Sequence, residues 1–184
     1  MESNFERFVK RVILALNESK INYVIIGGVA AIIYGRPRTT MDIDVIADLK
    51  LSEKGKIKKL VNIFAKYDLD VTEKEIVSAL KDKSHFSVFD KITPFRIDVT
   101  GVHTKLDKIA LKNRRKTVLL DLETWIEAPE DLIVAKLVYG SPQDLEDVFS
   151  IITNLKDNLN MNYLTKRAKE ENVYGILMKI IRKI

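Results

Sequence analysis

Three aspartates set the chemistry open to this chain: Asp42 and Asp44 in Met-Asp-Ile-Asp-Val at 41–45, and Asp98 in Arg-Ile-Asp-Val at 96–99. Successive side chains on a strand point to opposite faces. Met41, Ile43 and Val45 can therefore enter a core while Asp42 and Asp44 share the other face, roughly 6.6 Å apart along it. Phe95, Ile97 and Val99 repeat the alternation and leave Arg96, Asp98 and Thr100 on one polar face. Pairing of the two strands would bring a third carboxylate to the first two. Carboxylate oxygens suit the hard cation Mg²⁺, with Mn²⁺ as the alternative. Three of them fit a two-ion site for moving a nucleotide, in which ions about 3.5–4 Å apart clamp the attacking and leaving oxygens. An ordinary strand with one wet face also shows Asp-x-Asp, so the pair alone does not select this reading.

Gly27-Gly28 sharpens the case. Tyr23 to Ile26 reads as a buried strand and Val29 to Tyr34 as a short apolar helix, with the glycines as the turn between them. A glycine turn at a helix N-terminus lets backbone N–H groups approach phosphate oxygens. By itself it can equally be a tight strand-to-helix connection; with the three aspartates it reads as a phosphate site.

Arg38 and Thr40, four and two residues before Asp42, are placed to shape the mouth of that site and meet phosphate or acceptor. Arg36 and Arg38 flanking Pro37 equally fit a solvated surface pair. Lys136 interrupts the apolar run Leu132 to Tyr139, so it must snorkel or find a partner. It can reach a triphosphate or base edge, or pair with Asp144 or Asp147. Asp144 stands three residues after Ser141, which reads first as a helix-opening capping box, and Asp147 shares its helix face. The run Lys112-Asn-Arg-Arg-Lys116 could track an RNA backbone but reads first as a solvated loop. His85 and His103 have no second imidazole or thiol near them in sequence, and Trp125, Tyr139 and Phe149 read as core.

The elements that must position these groups follow from periodicity. Ser3 with Glu6 opens a helix carrying Phe5, Phe8, Val9, Val12, Ile13 and Leu16. A strand follows at 41–47. Ser52 would cap a helix bearing Ile57, Leu60, Val61 and Phe64, and Thr72 with Glu75 another bearing Ile76, Val77 and Leu80. Strands are predicted at 85–89 and 95–100, a short helix near 104–110, and extended segments at 116–120 and 123–127. Leu132 to Tyr139 is a helix stopped by Gly140. Ser141-Pro142 opens the next, and two more helices end the chain, with Ile176, Leu177, Ile180 and Ile181 as a stripe closing the core. The fold class is α/β: a mixed core over 1–128, followed by a helical segment over 129–184 packed on it as part of one compact unit.

With 184 residues, 46% of them hydrophobic, the chain can build a real core. Zero cysteines exclude disulfides, zinc-thiolate sites and thiol nucleophiles, so any metal site must be mainly oxygen-based. The net charge of +5 is compatible with phosphate-bearing partners and also with simple solubility. The N-terminus lacks a signal pattern and no apolar run approaches the ~20 residues that span a bilayer, so no membrane partner and a cytoplasmic location are expected.

Tyr-Val-Ile-Ile-Gly-Gly-Val-Ala at 23–30, Arg-Pro-Arg-Thr-Thr-Met-Asp-Ile-Asp-Val at 36–45, Arg-Ile-Asp-Val-Thr-Gly at 96–101, Glu-Asp-Leu-Ile-Val-Ala-Lys-Leu at 130–137 and Asp-Leu-Glu-Asp at 144–147 together resemble the DNA polymerase β-type nucleotidyltransferase superfamily. Within it the chain is most similar to minimal nucleotidyltransferases related to the AbiEii toxins of type IV toxin–antitoxin systems. The likeness covers about residues 20–150. It implies a nucleotidyltransferase-type mixed sheet flanked by helices. It also implies Mg²⁺-dependent transfer of a nucleoside monophosphate from an NTP, with Asp42, Asp44 and Asp98 as catalytic metal ligands and Gly27, Gly28, Arg38, Thr40 and Lys136 at the nucleotide. Two departures stand out: Gly28 replaces a common Ser and offers only backbone, and Ser141 stands where Arg often precedes Pro-x-Asp. The expected acceptor is an RNA end such as tRNA or a protein hydroxyl, with a cognate toxin or antitoxin as a further partner. The competing reading is a nucleotide-binding or antitoxin-like module that keeps the fold without turnover.

Overall fold

The protein is described by a computed structural model covering residues 2–184. Helix α1 (Asn4–Ser19) opens with the capping box of Ser3 and Glu6, and its Phe8, Val9, Val12, Ile13 and Leu16 are buried. Strand β1 (Tyr23–Ile26) runs into α2 (Gly27–Tyr34), and β2 (Asp42–Ala47) returns antiparallel beside β1. The α2 helix thus starts at Gly27, two residues before the apolar run suggests, because Gly27 adopts φ +61° and turns the chain within the glycine pair itself.

Helix α3 (Lys54–Lys66) follows with Glu53, not Ser52, at its N-cap and no side-chain cap. A two-residue strand β3 (Leu69–Asp70) is too short to show a period in sequence; it exists because it pairs with the end of β4 (His85–Asp90). Between them α4 (Glu73–Lys81) carries the Thr72–Glu75 box. Strand β5 (Arg96–Thr100) leads to α5 (Lys105–Asn113), whose box is Thr104 with Asp107. Strands β6 (Arg115–Leu119) and β7 (Leu122–Ile126) form a hairpin through Leu120 and Asp121, both at positive φ. The chain ends in α6 (Pro129–Tyr139), α7 (Pro142–Leu155), a 3₁₀ turn, α8 (Met161–Glu170) and α9 (Tyr174–Ile181). Pro129 occupies the first turn of α6, and Gly140 ends it in the left-handed region at φ +67°.

The seven strands make one mixed sheet in the order β3-β4-β5-β2-β1-β7-β6. The β2–β5 and β1–β7 pairs are parallel and the others antiparallel. On one face α1, α3 and α4 bury the main core, including Phe8, Ile13, Ile43, Phe64, Ile76, Ile97 and Val99. On the other side α2, α6, α7, α8 and α9 share a second core of Ala30, Ala31, Leu132, Ile133, Val148, Ile151, Leu164 and Leu177. Alternation along β2 and β5 therefore has one physical cause: Ile43, Val45, Ile97 and Val99 fill the main core, and the intervening side chains face away from it. Of the C-terminal stripe only Leu177 is fully enclosed; Ile180 and Ile181 pack partly and Ile176 is exposed. Tyr139 and Phe149 are also exposed, contrary to the core role predicted for them, because each faces outward from its helix beside a cavity. Among the described residues no helix is long and apolar enough to cross a membrane.

Candidate functional site

The parallel register of β2 and β5 sets Asp44 opposite Asp98 and Asp42 opposite Arg96. Antiparallel pairing with β1 places Asp44 beside Ile26, so the glycine turn lies against this carboxylate. The approach is close: a Cβ on Gly27 would fall 2.2 Å from Asp44 Oδ2, and one on Gly28 would fall 3.1 Å from both Arg38 Nη2 and Thr40 Oγ1. Gly27 is required here for both conformation and space, whereas at Gly28 the neighbouring side-chain ends can give way.

A cavity of about 360 Å³ opens over these groups, within the range of small-ligand sites. Gly27, Gly28, Arg38, Thr40, Asp42, Asp44 and Lys136 all line it. Asp98 does not; its carboxylate accepts from Arg96 Nε at 3.0 and 3.2 Å and from the Ser87 hydroxyl. Arg96 also donates through Nη2 to Asp42 Oδ2 at 3.2 Å, bridging the two aspartates. Thr40 Oγ1 donates to the other oxygen of Asp42 at 3.0 Å. Burial, then the charges of Asp42 and Asp98, push the Asp44 carboxyl up, against the pull of the Gly28 N–H and of Lys136.

Lys136 is both buried and paired: Nζ lies 2.9 Å from Asp144 Oδ1 and 2.8 Å from Asp147 Oδ2. Arg38 forks onto Asp147 through Nε at 3.0 Å and Nη2 at 3.1 Å. Burial alone would raise both carboxyls. The hydrogen bonds of Ser141 and Lys136 hold Asp144 below the usual range, and those of Arg38 and Lys136 do the same for Asp147. The Ser141–Asp144 capping box forms, so Asp144 caps α7 and meets Lys136 at once. Arg36 stays at the surface on Glu146, separating the two arginines flanking Pro37. The basic run at 112–116 is largely engaged: Arg114 stacks on Trp125 at 4.6 Å, Arg115 pairs with Glu130 and Lys116 with Glu123.

One group in the cavity carried no signal in sequence. Glu127, just after β7, is 4% exposed and lines the same space. Burial, with the charges of Asp131 and Asp107 opposed by Lys136, pushes its carboxyl to about 8.

The arrangement offers a cation an all-oxygen set, Asp42 and Asp44, beside a backbone turn shaped for anionic oxygens. Asp98 stands next in register, held by Arg96. Among the described residues no three His, Cys, Asp or Glu side chains converge as a ready-made metal cluster. The Arg96 guanidinium pairs with both Asp42 and Asp98, a cation in its own right between them.

No curated protein matches this chain by sequence. Among solved structures, the antibiotic-resistance factor ANT(2″)-Ia superposes in its complex with adenylyl-2″-tobramycin at a TM-score of 0.64, with 14% identity over 92% of this chain and 98% of that one. Its solution structure gives 0.60 with 14% identity over 100% of both. An antigenic nucleotidyltransferase-like protein from Paracoccidioides brasiliensis gives 0.58 with 17% identity, covering 83% of this chain and 78% of that one. These likenesses agree on the fold, as expected from the mixed sheet and flanking helices. The family described as nucleotidyltransferase of unknown function (DUF6036) matches residues 5–183, and the chain belongs to that family.

Proposed function

We propose that the protein is an Mg²⁺-dependent nucleotidyltransferase that moves a nucleoside monophosphate from an NTP to a hydroxyl acceptor. The observation that carries this reading is the left-handed Gly27 at the start of α2, packed directly on Asp44, with Asp42, Arg38, Thr40 and Lys136 lining one cavity around it. The glycine turn at the N-terminus of α2 receives phosphate oxygens, the Gly28 N–H being shared with Asp44, and Lys136, prepositioned by Asp144 and Asp147, neutralises triphosphate charge. Gly28 needs no hydroxyl for this role, since the N–H groups supply the donors.

Asp42 and Asp44 fit a divalent cation by donor chemistry, and the burial of Asp44 beside the charge of Asp42 favours one. Asp98 would join them on leaving Arg96, whose side chain is 43% exposed. The metal, when bound, neutralises charge on the transferred phosphate and lowers the acceptor's pKa. The acceptor hydroxyl attacks the α-phosphorus, pyrophosphate leaves, and Asp98, once released from Arg96, would take the acceptor's proton.

The acceptor classes in view are an RNA end such as tRNA and a protein hydroxyl, in a toxin–antitoxin setting. Engagement of Arg114, Arg115 and Lys116 by their own partners weakens the 112–116 run as an RNA track. The Arg96 bridge is the specific observation that favours a second reading, a module that binds nucleotide without turnover, because it occupies two of the three carboxylates. Incubation with each α-³²P-labelled NTP, cellular RNA, protein and tobramycin separates the outcomes. Label appearing in one acceptor, and lost in Asp44→Asn, supports transfer; NTP binding with no label in any acceptor supports the module.

A further inference from the structure

Glu127 is a buried carboxyl that the transfer chemistry above does not use. Its backbone N–H donates to Ile25 O at 2.9 Å, which fixes the residue beside the strand end that carries the glycine turn. The side chain lines the cavity, yet among the described residues no hydrogen bond reaches it. The other buried polar side chains of the cavity are all engaged. Asp107 accepts from the His103 and Thr104 N–H groups at 2.9 and 2.7 Å, and Lys136 holds Asp144 and Asp147. The Glu127 carboxyl opens onto the cavity and not onto protein partners, so a ligand seated there is the group it is placed to bond.

The surroundings say which part of the ligand. Ile26, Ile46, Leu106, Ala110, Leu132 and Ala135 give this cavity apolar walls, suited to the faces of a flat aromatic ring rather than to phosphate or ribose. Resting on the reading of the site as an NTP site, we infer that Glu127 is the base-reading residue, its carboxyl pairing with the amino group and adjacent ring nitrogen of adenine. A protonated carboxyl presents one donor and one acceptor side by side, complementary to the adenine N1 and N6–H. Paired with the same donor and acceptor, cytosine and uracil leave an O2 carbonyl and guanine its N2 amino group unsatisfied against apolar walls, whereas the pairing edge of adenine leaves no such group. A carboxylate, with acceptors only, would suit the two adjacent N–H donors of guanine instead. The proton is kept at neutral pH because burial and the facing Asp131 and Asp107 outweigh Lys136, the charged groups around it on α5 and α6.

The test is calorimetric binding of ATP, GTP, CTP and UTP, each with Mg²⁺, to the full chain and to Glu127→Gln and Glu127→Leu, at pH 7 and pH 9. The wild type is expected to bind ATP at least tenfold more tightly than the other three at pH 7, with the preference shrinking at pH 9. Glu127→Gln supplies an amide donor and acceptor that cannot titrate, so it should keep the preference at both pH values. Glu127→Leu should bind all four alike, at the level of the weaker wild-type ligands. Four equal affinities in the wild type, or a preference that survives in Glu127→Leu, overturn the base-reading role and leave the nucleotide site standing. Failure of every triphosphate to bind the wild type overturns both.

Discussion

Replacing Gly27 by Ala should separate folding from function. The residue sits at φ +61°, a conformation that costs an L-residue roughly 1–2 kcal/mol. At this chain length each kcal/mol lowers Tm by about 2–4 °C, so a fall of about 2–8 °C is expected. The new Cβ would start 2.2 Å from Asp44 Oδ2, and real Cβ atoms rarely come within 3.0 Å of anything. The carboxylate must therefore move by about 1 Å, a misplacement worth on the order of a hundredfold in rate at a reacting centre. Gly28→Ala is the matched control. Its Cβ meets only the ends of Arg38 and Thr40 at 3.1 Å, which yield by a few tenths of an ångström, so it should lose about tenfold or less. The assay pairs thermal unfolding with calorimetric Mg·ATP binding and ³²P transfer. A folded Gly27→Ala protein that binds and transfers like wild type would refute the placement of Asp44 at the reacting centre.

Glu127 also predicts a pH effect on stability. The fold keeps its proton up to about pH 8, whereas the unfolded chain releases it near 4.5, so stability should fall as pH rises between those values, by on the order of 5 kcal/mol. Glu127→Gln should raise Tm relative to wild type at pH 8 and leave it nearly unchanged at pH 4.5; equal Tm differences at both would contradict the assignment. Lys136→Met leaves Asp144 and Asp147 without their shared cation and should cost about 3 kcal/mol by urea unfolding, with a further loss of NTP affinity. Asp147, held below the usual carboxylate range, contributes stability above its unfolded pKa that is lost as pH falls through its lower folded value. Asp147→Asn should therefore flatten the acid limb of a Tm-against-pH curve. Thr72→Ala removes a cap accepting from the Glu75 N–H and should cost about 1 kcal/mol without touching nucleotide binding.

What could be read from sequence was whatever the chain specifies locally. The alternation of 41–45 and 95–99 requires only that one face of each strand be buried, and the boxes at Ser3, Thr72 and Ser141 close within three residues. Lys136 stood out because an ammonium in an apolar run demands a partner, and Asp144 and Asp147 supply it one turn into α7. What could not be read depends on distant pairing. Arg96 crosses to Asp42 only because β2 and β5 run parallel in this register, and β3 exists only through β4. Glu127 looks like one more charged residue ahead of Ala-Pro-Glu; its burial comes from the docking of β7 on β1 beneath α6. Ser52 resembles a cap as well as Ser3 does, but Glu53 starts the helix and accepts from the Lys50 N–H instead.

The most direct test of the transfer chemistry is a titration of Mg²⁺ with ATP into wild-type protein and into Asp42→Asn and Asp44→Asn, read by calorimetry and by ³²P incorporation. Metal-dependent ATP binding is expected in the wild type, at least tenfold weaker in both variants at unchanged Tm, with transfer abolished. Binding of the same strength with and without Mg²⁺, unaffected by either substitution, would contradict it.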